Sequence, residues 1–407
     1  MNVMFLTHYY PPESNAPANR VSELAQEWLK EGHRVTVVTC TPSHPGGRPY
    51  PGYRNPLFRV EKLDGVKVIR VGTILAANRG TVRRSLNYVS FLISVVLQVW
   101  RLPAADVVIS TSPQFFGGIA GFFVAKWLRA PWVFELRDIW PESVAAVAAG
   151  GRGFVFRALE QIERWAYRTA DQVVVVSPAF IDHIMEHSRP RRPVETVENG
   201  VDLSLFRQQE TGDFRKQHAL VDKVVFGYIG THGMAHSLET VLQAADLTRD
   251  DSNIAYLLVG SGAERERLVS LCKSLNLPNV TMLDHQPRSA MPVIWSSIDV
   301  SLVVLRNSPL FRRVIPSKMF EAMAMERPII MGVDGQAREI LERGDCGTFV
   351  EPENPAALAA IVRTYVREEG LRARHGAAGG KFVRANYDRS VLARRYLEIL
   401  KPLCRVV

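Results

Sequence analysis

Residues 313–328 read Arg-Val-Ile-Pro-Ser-Lys-Met-Phe-Glu-Ala-Met-Ala-Met-Glu-Arg-Pro. Pro316 suits the first turn of a helix. Ser317 and Lys318 then sit at its positive end, where they can meet a phosphate. Glu321 follows one turn later on the same side as Lys318. A carboxylate there can accept two hydrogen bonds from a vicinal diol such as ribose. The plainer alternative is a Lys318–Glu321 surface pair on an ordinary helix. Gly227-Tyr228-Ile229-Gly230-Thr231-His232-Gly233 ends a strand and precedes a helix, and Gly260-Ser261-Gly262 does the same. Glycines at such turns let backbone N–H groups approach a phosphate, although a tight turn needs glycine as well. His232 and His236 stand four apart, as do His183 and His187. No carboxylate at matching spacing completes a metal set, so no metal site is expected. His183 and His187 fit an exposed helix. Neither G-x-x-x-x-G-K-[ST], nor G-x-G-x-x-G after the first strand, nor D-x-D occurs. A P-loop and a nicotinamide or flavin site are therefore excluded.

These residues need elements to hold them. Apolar runs predict strands over 2–7, 34–39, 66–71, 106–110, 132–136 and 172–177 in the first half, separated by helices. Residues 41–65 are rich in Pro and Gly and read as a long loop. The second half repeats the alternation, with strands over 223–229, 254–259, 279–282, 299–304, 328–333 and 347–350. Strands that are apolar throughout and separated by helices predict α/β domains with parallel sheets covered on both faces. Such sheets bind ligands at strand carboxyl ends. His8 and Tyr9, Ser110 to Ser112, and Arg137 with Asp138 stand at such ends. Glu198-Asn199-Gly200-Val201-Asp202 is turn chemistry without periodicity and marks the hinge. The expected domains are 1–200 and 201–387, with a cleft between them as the default site.

A chain of 407 residues fits two domains, and 47% apolar with 22% charged residues excludes disorder. The net charge of +9 is local. Residues 48–101 carry ten basic and two acidic side chains, which leaves the rest close to neutral. Such a block favours an anionic partner. Nucleic acid is disfavoured, because the basic block lacks interleaved stacking aromatics on a strand platform. Ser85–Trp100 is uncharged, too short to span a bilayer, and has Asn87, Ser90, Ser94 and Gln98 on one helix face. It reads as an amphipathic helix flanked by Arg83, Arg84 and Arg101, packed in the core or lying on a surface. Cys40, Cys272, Cys346 and Cys404 are far apart, which fits a reducing compartment. The first residues run straight into an apolar strand, with no basic region of a signal peptide.

An ordered set of motifs carries a resemblance. It comprises Asn199-Gly200-Val201-Asp202, Leu258-Val259-Gly260-Ser261-Gly262, Leu277-Pro278-Asn279-Val280-Thr281, Ser297-Ile298-Asp299-Val300, Pro316-Ser317-Lys318-Met319-Phe320-Glu321 and Arg327-Pro328-Ile329. Tyr10-Pro11-Pro12-Glu13 and Glu135-Leu136-Arg137-Asp138-Ile139-Trp140-Pro141-Glu142 add the first half. Over nearly the whole chain this resembles the retaining family-4 glycosyltransferases, and among them the N-acetyl-L-fucosamine transferase branch of bacterial surface-polysaccharide assembly.

The resemblance implies the GT-B fold, two Rossmann-like domains facing across a cleft. It also implies a C-terminal helix, about 388–404, packed back on the first domain. A UDP-sugar is implied as co-substrate, with no cofactor and no metal. Glu321 matches the second glutamate of the family's E-x7-E motif, which binds ribose. The first position is Arg313, a departure that allows contact with an anionic sugar or phosphate, or a re-routed loop. The implied donor residues are Gly230, Thr231, His232, His236, Gly260, Gln286, Arg313, Pro316, Ser317, Lys318 and Glu321. Lys318, with His236, takes the place of the family's phosphate-binding Arg and Lys. His8, Tyr9, Tyr10, Glu13 and Arg137 are implied acceptor residues. Asp138, beside Glu142, is the expected acceptor base, and Lys318 stabilises the leaving diphosphate. The mechanism usually described for such enzymes is same-face attack assisted by the departing phosphate.

A polyprenyl-diphosphate-linked or other glycan acceptor would bring an anionic group and a lipid tail. Arg79, Arg83, Arg84 and Trp100 are the expected membrane contacts, at the inner face of the cytoplasmic membrane. The expected donor is an N-acetylated or modified hexose. Two other readings stay open: a nucleotide-sugar 2-epimerase of the same fold, which needs no acceptor, and a non-catalytic sugar-nucleotide-binding protein.

Overall fold

The structure is a computed structural model that describes residues 1–77, 81–112, 114–139 and 154–404. The chain divides into two compact units. One is Met1–Asn199 with the C-terminal segment from Arg389, and the other is Gly200–Asp388.

The first unit holds an eight-stranded sheet of β1 (Asn2–Leu6), β2 (Arg34–Cys40), β3 (Phe58–Leu63), β4 (Val66–Val71), β5 (Val107–Thr111), β6 (Trp132–Leu136), β7 (Gln172–Val175) and β8 (Glu195–Thr196). The order is β3-β4-β2-β1-β5-β6-β7-β8. Every pairing is parallel except β3 with β4. β1 lies between β2 and β5, with Leu6 opposite both Val38 and Ser110. The chain therefore reverses its winding at β1, and the crevice beyond its carboxyl end is where such sheets take ligands. Residues 41–65 are not all loop. β3 falls within them as an edge strand, antiparallel to β4 through residues 58–63. Its alternation of Val60 and Leu63 with charged side chains is too weak to stand out among prolines.

The helix Ala16–Lys30 opens on Asn15, whose side chain accepts from Ala18 N at 3.0 Å. It closes at Gly32 (φ +79°), where His33 N donates to Trp28 O. Its buried face carries Val21, Leu24 and Trp28. The helix Arg389–Leu400 packs on that face: Trp28 Nε1 donates to Ala393 O at 3.0 Å, and Arg389 pairs with Glu23 at 2.7 Å.

The second unit holds a fully parallel sheet of β9 (Val224–Ile229), β10 (Ile254–Val259), β11 (Val280–Leu283), β12 (Val300–Val304), β13 (Ile329–Gly332) and β14 (Gly347–Phe349). The order β11-β10-β9-β12-β13-β14 is the Rossmann order, reversing between β9 and β12. The unit's two ends meet: Val201 bridges Asp388, and Val201 N donates to Tyr387 O at 3.0 Å.

For the helix Thr81–Leu97 the sequence leaves open which face is hidden. Its polar residues turn inward onto backbone. Asn87 Nδ2 donates to Ile74 O at 2.6 Å, Ser90 Oγ accepts from Ile74 N at 2.9 Å, and Gln98 Nε2 donates to Leu57 O at 2.8 Å. Phe91 and Val95 enter the core, while Leu97 is 70% and Trp100 68% exposed. The neighbouring helix Phe115–Leu128 also shows apolar surface, with Trp127 59% and Phe123 43% exposed. No acidic residue occurs between Asp64 and Asp106, nor between Asp106 and Glu135. Among the described residues no helix is long and apolar enough to cross a membrane.

Candidate active site

In the second unit the loops after β9 and β10 interlock. Gly230 N donates to Val259 O, and His232 N to Ser261 O, each at 2.9 Å. Gly260 has φ +150°, and a side chain there would collide with Gly230 O. Glycine at 260 is thus a condition of the loops meeting. Tyr228, fully buried near the end of β9, lies beneath this junction. Its hydroxyl donates to Thr231 O at 2.7 Å, and its ring centre lies 5.9 and 6.0 Å from those of His232 and His236.

Lys318 completes the cluster from another element. The helix Lys318–Ala324 begins there, with Ser317 at its N-cap and Met319 N bonded to Pro316 O. The Lys318 ammonium sits 3.5 Å from the centre of the Tyr228 ring, a cation–π contact. A Cβ on Gly230 would come within 2.9 Å of it. The nitrogen is covered and has no hydrogen-bond partner. This excludes the surface-pair alternative, because no ion pair to Glu321 forms. Burial lowers the Lys318 pKa to about 7, with Glu321 pulling weakly the other way. Burial, then Arg265 and Lys318, lowers His232 to about 4. Burial, then Lys318 and His232, lowers His236 to about 3. Both ring nitrogens of His232, Nδ1 of His236 and Nη1 of Arg265 are likewise covered and without partners. Buried polar groups are normally hydrogen-bonded, so five orphaned nitrogens in one cluster mark a place prepared for an acceptor-rich guest. Neutral histidines can donate to it, and a protonated Lys318 can pair with it.

The other residues expected to meet a donor lie around this cluster or apart from it. Glu321 is half-buried, and its Oε2 accepts from Trp295 Nε1 at 3.2 Å, which fixes the carboxylate. Thr231 is exposed and contributes its carbonyl to Tyr228. Gln286 donates to Asp284 O at 3.2 Å and so braces its own loop. Arg313 is half-buried at the end of the short turn Phe311–Arg313, while its neighbour Arg312 pairs with Asp334 at 3.6 Å. Tyr228, Trp295 and Arg265 had no sequence signal of their own. An aromatic in an apolar strand reads as core, and an arginine in an opening helical turn reads as surface.

In the first unit His8 follows β1 and is buried, with edge-on contacts to Tyr9, Tyr88 and Phe91 at 5.0 to 5.3 Å. Burial lowers its pKa to about 4. It lines a small recess with Tyr9, His44, Arg84, Asn87 and Tyr88. Two expected acceptor residues point elsewhere. Tyr10 is 1% exposed and belongs to the core. Glu13 accepts from Ser43 N and His44 N, each at 2.9 Å, and so shapes the loop that carries His44. Arg137 and Asp138 stand at the end of β6, both half-buried. Glu142 and Arg79 lie outside the described residues. Arg83 and Arg84 are exposed, and Arg84 reaches Tyr88 Oη at 3.4 Å.

Behind β6 lies a buried ion pair that sequence reading missed. Arg20 donates through Nε and Nη2 to Glu135 Oε2, at 3.2 and 2.9 Å. It also donates to the carbonyls of Val197 and Glu198, tying the end of the unit to β6. His183, expected on an exposed surface, is buried 3.9 Å from Glu163, because its helix Ala179–His187 packs on Phe154–Thr169. Among the described residues no cluster could hold a metal ion, and all four cysteines are free.

Comparison with known proteins now bears on these two units. Residues 15–200 match the glycosyl transferase 4-like domain, and residues 210–382 match the glycosyl transferases group 1. The chain belongs to the family-4 glycosyltransferases. An Escherichia coli K12 protein named as a glycosyl transferase of colanic acid biosynthesis, WcaI, is 25% identical over 98% of this chain and 100% of its own. The capsular polysaccharide biosynthesis glycosyltransferase CapM of Staphylococcus aureus is 23% identical over 70% of this chain and 74% of its own. Among solved structures, sucrose-phosphate synthase of Thermosynechococcus elongatus superposes with a TM-score of 0.80 at 18% identity, covering 99% of this chain and 98% of that one. Anabaena HepE in complex with UDP-glucose gives 0.75 at 15%, covering 99% and 100%. These likenesses establish the GT-B fold for this family-4 glycosyltransferase.

Proposed function

We propose that this glycosyltransferase is a retaining, metal-independent enzyme of surface-polysaccharide assembly. It moves an N-acetylated or otherwise modified hexose from a UDP-sugar to a polyprenyl-diphosphate-linked or other glycan acceptor. The second unit takes the donor and the first unit the acceptor, at the inner face of the cytoplasmic membrane. The observation that carries the donor half is the partnerless Lys318 ammonium over Tyr228, beside the partnerless ring nitrogens of His232 and Nδ1 of His236, both histidines neutral, at the Gly230 and Gly260 turns. That set fits a diphosphate, and the braced Glu321 carboxylate fits the ribose diol. Support for the nucleotide comes from HepE, whose solved complexes hold UDP and UDP-glucose. Support for the pathway class comes from the names of the colanic acid and capsular relatives.

In the reaction the bond from sugar to diphosphate breaks and the leaving oxygens gain charge. Lys318 meets that charge once protonated, and its dry surroundings strengthen the pairing. The departing phosphate assists the acceptor hydroxyl on the same face of the sugar. Asp138, at the end of β6, takes the hydroxyl proton.

Thermal-shift titration with UDP- and GDP-sugars, in buffer containing EDTA, tests the donor half. UDP and one UDP-sugar should raise the Tm, and Lys318→Met should cut UDP affinity at least ~10-fold, the value of a lost charge-assisted bond. No shift with any nucleotide sugar, or full UDP affinity in the variant, would overturn it.

A further inference from the structure

The end of β6 carries a cation whose neighbouring charges are engaged with one another. Glu135 is fully buried, and its Oε2 is held by Arg20 while its Oε1 accepts from Thr111 Oγ1 at 2.9 Å. Arg389, also nearby, is paired with Glu23 at 2.7 Å. Arg137 stands among them. Its backbone N donates to Ser112 Oγ at 2.9 Å, which fixes where its side chain starts. Its Nε and Nη1 are covered and have no hydrogen-bond partner among the described residues. Burial, then the positive charges of Arg20 and Arg389, lowers even this guanidinium to about 10, with Glu135 and Asp138 only partly opposing.

An arginine stays charged at neutral pH, so this arrangement costs stability in the empty protein. Such a cost is characteristic of groups that await a counter-charge. The position supports the same conclusion. Ser112 and Arg137 follow β5 and β6, beside the point where the sheet reverses its winding, where ligands enter. The planar fork of a guanidinium matches two oxygens of a phosphate or a carboxylate.

We propose that Arg137 is an oxyanion-binding residue of the first unit, taking two oxygens of a phosphate or carboxylate group on the ligand that this unit receives. The proposal rests on the glycosyltransferase reading only in calling that ligand the acceptor. It adds the chemistry by which the acceptor is recognised: a diphosphate link or an acidic sugar.

The test uses full-length protein with the second unit's phosphate site silenced, either by Lys318→Met or by saturating UDP. Pyrophosphate and glucuronate are titrated separately by thermal shift or calorimetry. One of the two should bind saturably, and Arg137→Met should weaken that binding at least ~10-fold. Response to pyrophosphate identifies a phosphate, and response to glucuronate a carboxylate. Arg137→Met should also raise the Tm of the empty protein and leave UDP binding unchanged, whereas loss of a mere strut would lower the Tm. Binding of neither anion, or equal affinity in the variant, or a lowered Tm would overturn the proposal. Failure of UDP to bind would count against the donor reading alone.

Discussion

In the donor site proposed above, Lys318 would set stability against binding within one side chain. In the empty protein its charge is buried without a partner, so Lys318→Met should raise the Tm by ~2 °C or more, the shift expected from ~1 kcal/mol in a unit of this size. The pH dependence has a definite sign. The folded pKa is about 7, against an ordinary 10.5 for a lysine. Between these values the unfolded chain holds the extra proton, so wild-type stability rises with pH. The advantage of the methionine variant should therefore be full below pH 7 and vanish above pH 10.5. UDP affinity should run the other way. The groups that face Lys318 are Tyr228, His232, His236 and Glu321, with Arg265 beside His232, and both histidines are already neutral at pH 7. Above pH 7 a proton must be taken up with the ligand, so affinity should fall by up to ~10-fold per pH unit. Calorimetry in buffers of different ionisation enthalpy reads that proton directly. Lys318 at a helix start, Glu321 one turn on and the two glycine turns were legible in the sequence because helix starts and close backbone approaches constrain residue type locally. Tyr228 and Trp295 were not, since their roles arise from which strand and helix end beside them.

At the scale of elements, periodicity read most of the strands correctly because parallel strands buried on both faces are continuously apolar. It could not say which face of the Thr81–Leu97 helix is hidden. The polar side chains there satisfy backbone groups of residues 57 and 74, a contact that depends on where the preceding loop runs. The outcome is exposed Leu97, Trp100, Phe123 and Trp127 on and beside two packed helices, in a stretch of chain whose single acidic residue between Asp64 and Glu135 is Asp106; in the membrane reading proposed above, this is the face that would meet anionic lipid. Two substitutions separate the faces. Leu97→Glu should release the protein from phosphatidylglycerol vesicles with the Tm and UDP binding unchanged. Asn87→Leu should leave vesicle binding intact but lower stability by ~1–3 kcal/mol, because Ile74 O loses its donor. Unchanged sedimentation of Leu97→Glu with vesicles would remove this face from consideration.

For the molecule as a whole, the first unit is built from both ends of the chain and the second from its middle. The pairing of Val201 with Asp388 closes the second unit on itself. Expressed alone, Gly200–Asp388 should therefore fold with a cooperative transition and bind UDP as the full chain does. Deleting the chain from Arg389 should instead unfold the first unit at a lower temperature, with the transition of the second unchanged. Differential scanning calorimetry resolves the two. A single shared transition that moves as one would contradict that independence.

The helix Arg389–Leu400 that covers Trp28 has a consequence for biosynthesis. The Trp28 face leaves the ribosome well before its cover, with the whole second unit synthesised between them. Arg389 follows Trp28 by 361 residues, so at ~5–20 residues per second that interval is roughly 20–70 s. For that time the first sheet stands beside an unsealed apolar face. The nascent chain is thus exposed to chaperones and to misassociation at one known place, and the twelve residues of the helix Arg389–Leu400 decide whether the first unit is completed.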